Sequence, residues 1–180
     1  MEKHSEEAGK EQQRLIINSL MSDSDEKIIS TLFNFKESYN LFIIEPLLDL
    51  LLMDRSDLLK KNIINFISDV KEKAAIPLLV NHLKKSFPQK QVNDIITICW
   101  QSRLDFSKDL EIFFEILQKG NYQAAFEAFT VIENSLENLS SQEIDNHLTS
   151  LKSDLSNSNR DKQLLILEMV SLLNKAKRDA

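Results

Sequence analysis

Apolar positions along this chain recur at three and four residues almost everywhere, and almost nowhere at two. Leu59, Ile63, Phe66, Ile67 and Val70 form one such stripe, and Leu164, Leu167, Val170 and Leu173 another. A period of 3.6 residues places each stripe on one side of an α-helix. Start and stop signals divide the pattern. Asp23 with Glu26 and Ser140 with Glu143 have the spacing of a capping box, in which a side chain and a backbone amide satisfy each other at a helix start. Gly120 then Asn121 reads as a helix stop followed at once by the next N-cap. Pro88 suits a first helical turn, where its missing N–H costs nothing. These signals predict helices at 6–21, 24–37, 41–53, 56–71, 74–86, 88–102, 107–119, 121–136, 141–155 and 159–177, bounded by polar ends at 1–8 and 178–180 expected to be flexible. Connections of about two to five residues force consecutive helices to run antiparallel, which gives five hairpins in a single domain over 9–177.

Composition agrees with this reading. Two glycines and three prolines in 180 residues are too few turn residues for a sandwich, a barrel or a nucleotide-binding α/β fold. An apolar fraction of 42% is enough for a continuous core. The longest apolar runs are broken at Glu45, Pro46 and Asp49, short of the roughly 20 residues that span a bilayer. With a charged start, MEKHSEEAGKEQQR, and Cys99 as the sole cysteine, the expectation is a cytoplasmic protein without membrane contact. Cys99 lies in an apolar helix and is expected to be a buried, unreactive thiol.

The hairpins echo one another. Ile44–Leu52 (IEPLLDLLL) realigns with Ala75–Leu83 (AIPLLVNHL) at a shift of 31; DLEIFFEIL at 109–117 follows 34 residues on, and EIDNHLTSL at 143–151 another 34. A period of 31–34 residues belongs to helical-hairpin repeats. Leu52-Met53-Asp54, Leu59-Lys60, Ile63-Ile64, Phe66-Ile67 and Val70, followed by Ala75-Ile76-Pro77-Leu78-Leu79 and Leu83, resemble the HEAT-like repeats: an aspartate turn, a second helix and the proline-bearing first helix of the next unit. The resemblance is strongest over 44–83. Lys60 stands where that family usually carries arginine, and Ile63, Ile64 and Phe66 stand where it often carries alanine. Gly120-Asn121-Tyr122-Gln123-Ala124-Ala125 is faintly similar to the tetratricopeptide repeats. Pro46 and Pro77, expected inside first helices, favour the HEAT-like reading. It implies an all-α, right-handed stack of five antiparallel helix pairs, an α-α superhelix with the second helices on its concave side.

Candidate chemistry is sparse. His4, His82 and His147 lack partners at metal-ligand spacing, and His82 and His147 are expected to be half-exposed. Glu111 and Glu115 read as a solvated face, and Asp23–Glu26 as a helix cap rather than a calcium loop. No phosphate-cradling or nucleophile motif is present. Most phenylalanines, Phe33 and Phe126 among them, recur at helical spacing and read as core. Neither catalysis nor a cofactor or metal is expected.

Charge carries the remaining signal. Net charge is −6, distributed as −6 over residues 1–57, +5 over 58–90, −7 over 91–150 and +2 over 151–180. Such banding can steer a complementary protein. Lys61, Asn65 and Ser68 lie beside the apolar stripe of one second helix, and Asn93, Thr97 and Gln101 on the next. With Lys60 and Lys90 they make a candidate strip for an acidic segment of a protein partner. Two alternatives belong to other classes. A nucleic-acid-binding or base-excising array would use Trp100 with Asp94 and Asp105, although the acidic balance speaks against nucleic acid. A small-molecule binder would use a pocket near Cys99 and Trp100.

Overall fold

The computed structural model describes residues 2–35, 41–87, 92–155 and 160–179; for 2–9, Asp154 and Asp179 it describes the backbone alone. Ten α-helices follow in order: α1 (Glu2–Ser22), α2 (Asp25–Phe35), α3 (Ile44–Leu51), α4 (Asp57–Ser68), α5 (Ile76–Ser86), α6 (Val92–Ser102), α7 (Leu110–Lys119), α8 (Tyr122–Glu133), α9 (Ser141–Asp154) and α10 (Arg160–Asp179). No strand occurs among the described residues. Helix covers 2–8 and 178–179 as well, and Met1 and Ala180 lie outside the described residues. Among those described, no helix is long and apolar enough to cross a membrane.

Side-chain caps close three of the starts. Ser56 accepts from the Leu59 amide and Asn121 from the Ala124 amide, while Ser140 and Glu143 close the expected capping box. Each such cap stabilises its helix by about 1 kcal/mol. The box expected at Asp23 does not form. Its carboxylate accepts instead from Ser19 and from Lys27, and Asp25 accepts from the Ser56 amide at 3.0 Å and from Arg55 at 3.0 Å. The prolines also stand differently from expectation. Short 3-10 turns at Leu41–Ile43 and Lys73–Ala75 precede α3 and α5, so Pro46 and Pro77 fall in first turns and break no internal hydrogen bond. Pro88, expected in a first turn, lies outside the described residues.

Packing follows a simple order. The odd helices lie side by side as α1, α3, α5, α7, α9, and the even ones as α2, α4, α6, α8, α10. The principal contacts therefore stay within one hairpin or between hairpins adjacent in sequence. One apolar cluster runs through all of them from Leu20 to Leu173, and includes the whole α4 stripe from Leu59 to Val70. Phe106 and Phe113 meet edge to face inside it, with ring centres 5.4 Å apart. Polar bonds repeat the same interval. Arg55–Asp25, Ser68–Gln101, His82–Asp49, Thr97–Glu127, Gln118–Ser150 and Lys177–Asp145 each join residues 30 to 33 apart in sequence.

Three cations staple the turns. Arg55 donates to the Met21 and Asp23 carbonyls, closing the end of α1. Lys71 donates to Ser68 O at 3.1 Å and Ser102 O at 2.9 Å, which closes α4 and α6 together. Lys162 reaches from α10 to the Gln118 and Gly120 carbonyls at the end of α7. Cations at helix C-termini satisfy free carbonyls and oppose the negative end of the helix dipole.

Several apolar side chains face opposite to expectation. On α10 the buried row is Ile166, Met169 and Leu173, whereas Leu164 and Leu167 are exposed. Phe33 is 59% and Phe126 52% exposed, so neither is core. His82, expected to be half-exposed, is buried at 5%, with Nε2 3.0 Å from Asp49 and Nδ1 unpartnered.

Candidate functional site

Exposed large apolar side chains concentrate on the even helices. Phe33 (α2), Leu58 (α4), Trp100 (α6), Tyr122 and Phe126 (α8) and Leu164 and Leu167 (α10) are all exposed. On the odd helices only Leu15 is, among the described residues, and Met53 sits in a turn. A contiguous apolar patch of this kind is what a protein-binding face would present.

Between α4 and α6 this layer opens into a groove of about 510 Å³. Lys60, Lys61, Asn65, Thr97 and Gln101 line it, so five of the eight residues singled out by spacing do converge. Ser68 does not face it. It is 7% exposed, and its hydroxyl donates to Gln101 Oε1 at 3.2 Å, tying α4 to α6 from beneath. Asn93, on α6, instead accepts from the Asn121 side-chain amide at 3.3 Å, at the start of α8. Lys90 lies outside the described residues.

Three carboxylates join these residues, of which the sequence reading singled out Asp94 alone, and for a different site. Asp57 and Asp94 line the groove beside the lysines, and Glu127 on α8 accepts from Thr97 Oγ1 at 2.8 Å. Burial raises the Asp94 pKa; the Lys60 charge opposes this and Asp57 adds to it. Glu127 is raised for the same first reason, against hydrogen bonds from Thr97 and Gln123, and Asp94 adds to it. The Asp94 charge thus adds to the desolvation that disfavours the ionised form of Glu127. The strip thus carries both signs. It also continues sideways: Asn65 shares a small hollow with Phe33 and Asn62, so α2, α4, α6 and α8 contribute to one surface.

A second cavity of about 670 Å³ opens where α6 and α8 end. Its apolar floor includes Cys99, Leu104, Phe106 and Val131, with Trp100 and Arg103 on the rim and Thr130, Asn134, Ser135 and Asn138 opposite. Burial, with Glu127 adding, pushes the Cys99 thiol well up, so it is no nucleophile. Arg103 has φ 54°, a left-handed conformation that costs a non-glycine residue about 1–2 kcal/mol. Trp100 and Asp105 line this cavity while Asp94 lines the groove, so the three residues considered for base excision divide between two sites. Glu115 pairs with Lys119 at 2.9 Å, and no group of three or more possible metal ligands occurs among the described residues.

Comparison of the chain with family models, with curated proteins and with solved structures finds no match.

Proposed function

We propose that this chain is a non-catalytic protein-binding scaffold: a HEAT-like, right-handed stack of helix pairs that presents its even helices, as the concave side, to a partner. One observation carries the reading, the concentration of exposed large apolar side chains on the even helices. The odd and even order of packing and the recurrence of cross-hairpin bonds near 30–33 residues support the repeat architecture. The groove of α4 and α6 supplies polar addressing. A partner segment meets Lys60 and Lys61 with acidic side chains, and Asp94 and Glu127 with a cation or hydrogen-bond donor. Apolar neighbours such as Ile64, Phe33 and Phe126 supply buried area around these charges.

The test is positional crosslinking. A photoreactive residue is placed at Asn65 or Phe126 on the even layer, or at Glu45 or Lys85 on the odd layer, and the full chain is irradiated in its native lysate. Adducts concentrated on the even positions support the proposal. Adducts spread equally over both layers, or none, refute it.

A further inference from the structure

The outward face of α8 carries side chains that the core does not use. Ala124, Ala125, Ala128, Phe129, Val131 and Ile132 turn inward and make up the buried face of this helix. Tyr122 and Phe126 stand one turn apart on the other side, 50% and 52% exposed, and both lie outside the apolar cluster. Charge around them has one sign. α6 and α8 lie side by side, tied by the Thr97 to Glu127 bond and by the Asn121 side-chain amide on Asn93. Together these two helices hold three carboxylates, Asp94, Glu127 and Glu133, and no lysine or arginine. Lys60 acts on Asp94 from α4, but among the described residues no cation pairs with Glu127 or Glu133. Neighbouring cations are already matched. Lys162 is taken by the Gln118 and Gly120 carbonyls, Arg103 shares its cavity with Asp105, and Arg160 is followed in sequence by Asp161.

We infer that the outward face of α8 docks a basic amphipathic segment of a partner protein, with its apolar side chains on Tyr122 and Phe126 and its lysine or arginine side chains on Glu127 and Glu133. Aromatic rings flanked by carboxylates suit such a segment in two ways. The rings take apolar contact and attract a cation to their faces, and the carboxylates pair with it by charge-assisted hydrogen bonds. Burial and the Asp94 charge disfavour the ionised form of Glu127, and a docked cation would offset both. Nucleic acid and anionic lipid surfaces carry the wrong sign for this face. The inference rests on reading the chain as a protein-binding scaffold, and it names the chemistry of the segment that α8 receives. With Lys60 and Lys61 on α4 drawing acidic side chains, it also sets the direction in which a partner crosses the even layer.

Three fluorescein-labelled peptides of equal length are the probes: leucine and lysine spaced to give a helix one apolar face, the same residues scrambled, and the first peptide with glutamate for lysine. Anisotropy is followed as the full chain is added. Saturable binding is expected for the first peptide, at least tenfold tighter than for the other two and weaker as salt is raised. Phe126→Ser should weaken it at least tenfold with the melting temperature nearly unchanged, because the ring is exposed, and Tyr122→Ser should act in the same direction. Glu133→Gln should weaken it several-fold and flatten the salt dependence, whereas Glu45→Gln on the odd layer should do neither. Binding of the scrambled peptide as tight as the first, or full binding by Phe126→Ser, reflects only general attraction to an acidic chain and overturns the site. So does sedimentation showing self-association of the chain that Phe126→Ser abolishes, since a second copy is then the occupant. If the peptides fail while crosslinks still form at Asn65, the scaffold reading stands without this site; absence of even-layer crosslinks removes the scaffold reading itself.

Discussion

Gly120 sits at the junction of α7 and α8, the helix pair in most extensive contact among the described residues, and replacing it with alanine sets two effects of opposite sign against each other. Its φ of −68° and ψ of 169° are open to any residue, so on backbone grounds alone alanine should stabilise by about 0.4–1 kcal/mol through a stiffer unfolded chain. Space decides otherwise. A Cβ on Gly120 would stand 2.6 Å from the Ile116 carbonyl oxygen, 3.2 Å from Ile116 Cγ2 and 3.3 Å from Ala124 Cβ. The first contact is with backbone. Relieving it moves the carbonyl that accepts the Gly120 amide at 2.8 Å, and disturbs the Gly120 carbonyl that Lys162 caps at 2.9 Å. Overpacking of this kind costs about 1–3 kcal/mol, so the net loss should be about 1–2 kcal/mol. For a chain of 180 residues that lowers the melting temperature by roughly 2–8 °C. Circular dichroism at 222 nm during heating measures it, and a urea titration should show a lower midpoint at unchanged slope. Adding Ala124→Gly opens only the 3.3 Å contact and should not restore stability. A melting temperature at or above that of the parent protein would refute the argument.

Other outcomes follow from the same geometry. Phe113→Ala should cost about 3–5 kcal/mol in urea denaturation, because its ring is wholly buried, whereas exposed Phe33→Ala should change stability by less than about 0.5 kcal/mol. Lys71→Met uncovers two helix ends at once and should cost about 1–2 kcal/mol by thermal melting; an unchanged melt would show that water replaces it without loss. Asp94→Asn and Glu127→Gln each remove a carboxylate whose charged form burial disfavours, so each should raise the melting temperature at pH 7. Since the folded pKa of each lies above its unfolded value, the parent protein loses this stability as pH rises through that window; the gain in the variants should therefore shrink on acidification, and a gain independent of pH would contradict the assignment. Ser140→Ala breaks the capping box of α9 and should cost about 1 kcal/mol, read as a lower urea midpoint.

How far the chain could be read before its structure depends on where each residue finds its partner. Helices were legible because their apolar period is local, and the α4 stripe from Leu59 to Val70 is buried as its spacing implies. Periodicity names a stripe without saying which way it points. On α10 two apolar rows compete, and Ile166, Met169 and Leu173 win the core while Leu164 and Leu167 face water. Phe33 and Phe126 keep helical spacing on the outward side for the same reason. Asp23 and Asp25 show the other difficulty: the Asp23 carboxylate is taken by Ser19 and Lys27, four residues to either side, and the Asp25 carboxylate by Arg55 and Ser56, about 30 residues away. In the candidate groove, lysines and amides were found by placing them beside the stripe, yet Glu127 was missed. The signal was available, because Glu127 lies 30 residues on from Thr97, the separation at which Arg55 also meets Asp25. Arg103 gave no such signal, since its left-handed backbone exists only in the folded chain.

The order in which the helices pack bears on how the protein can be made. Hydrogen bonds of longest range among the described residues run from Lys162 to the end of α7, spanning 42 and 44 residues, and the others that join different hairpins span 28 to 34. At ribosomal speeds of about 5–20 residues per second, a stretch of that length emerges within some 2–9 seconds. Each hairpin can therefore dock on its predecessor while the remainder is still being translated, with little loop-closure entropy to overcome. Among the described residues the principal helix contacts lie within a hairpin or between neighbouring ones, so most apolar surface is covered soon after it is made.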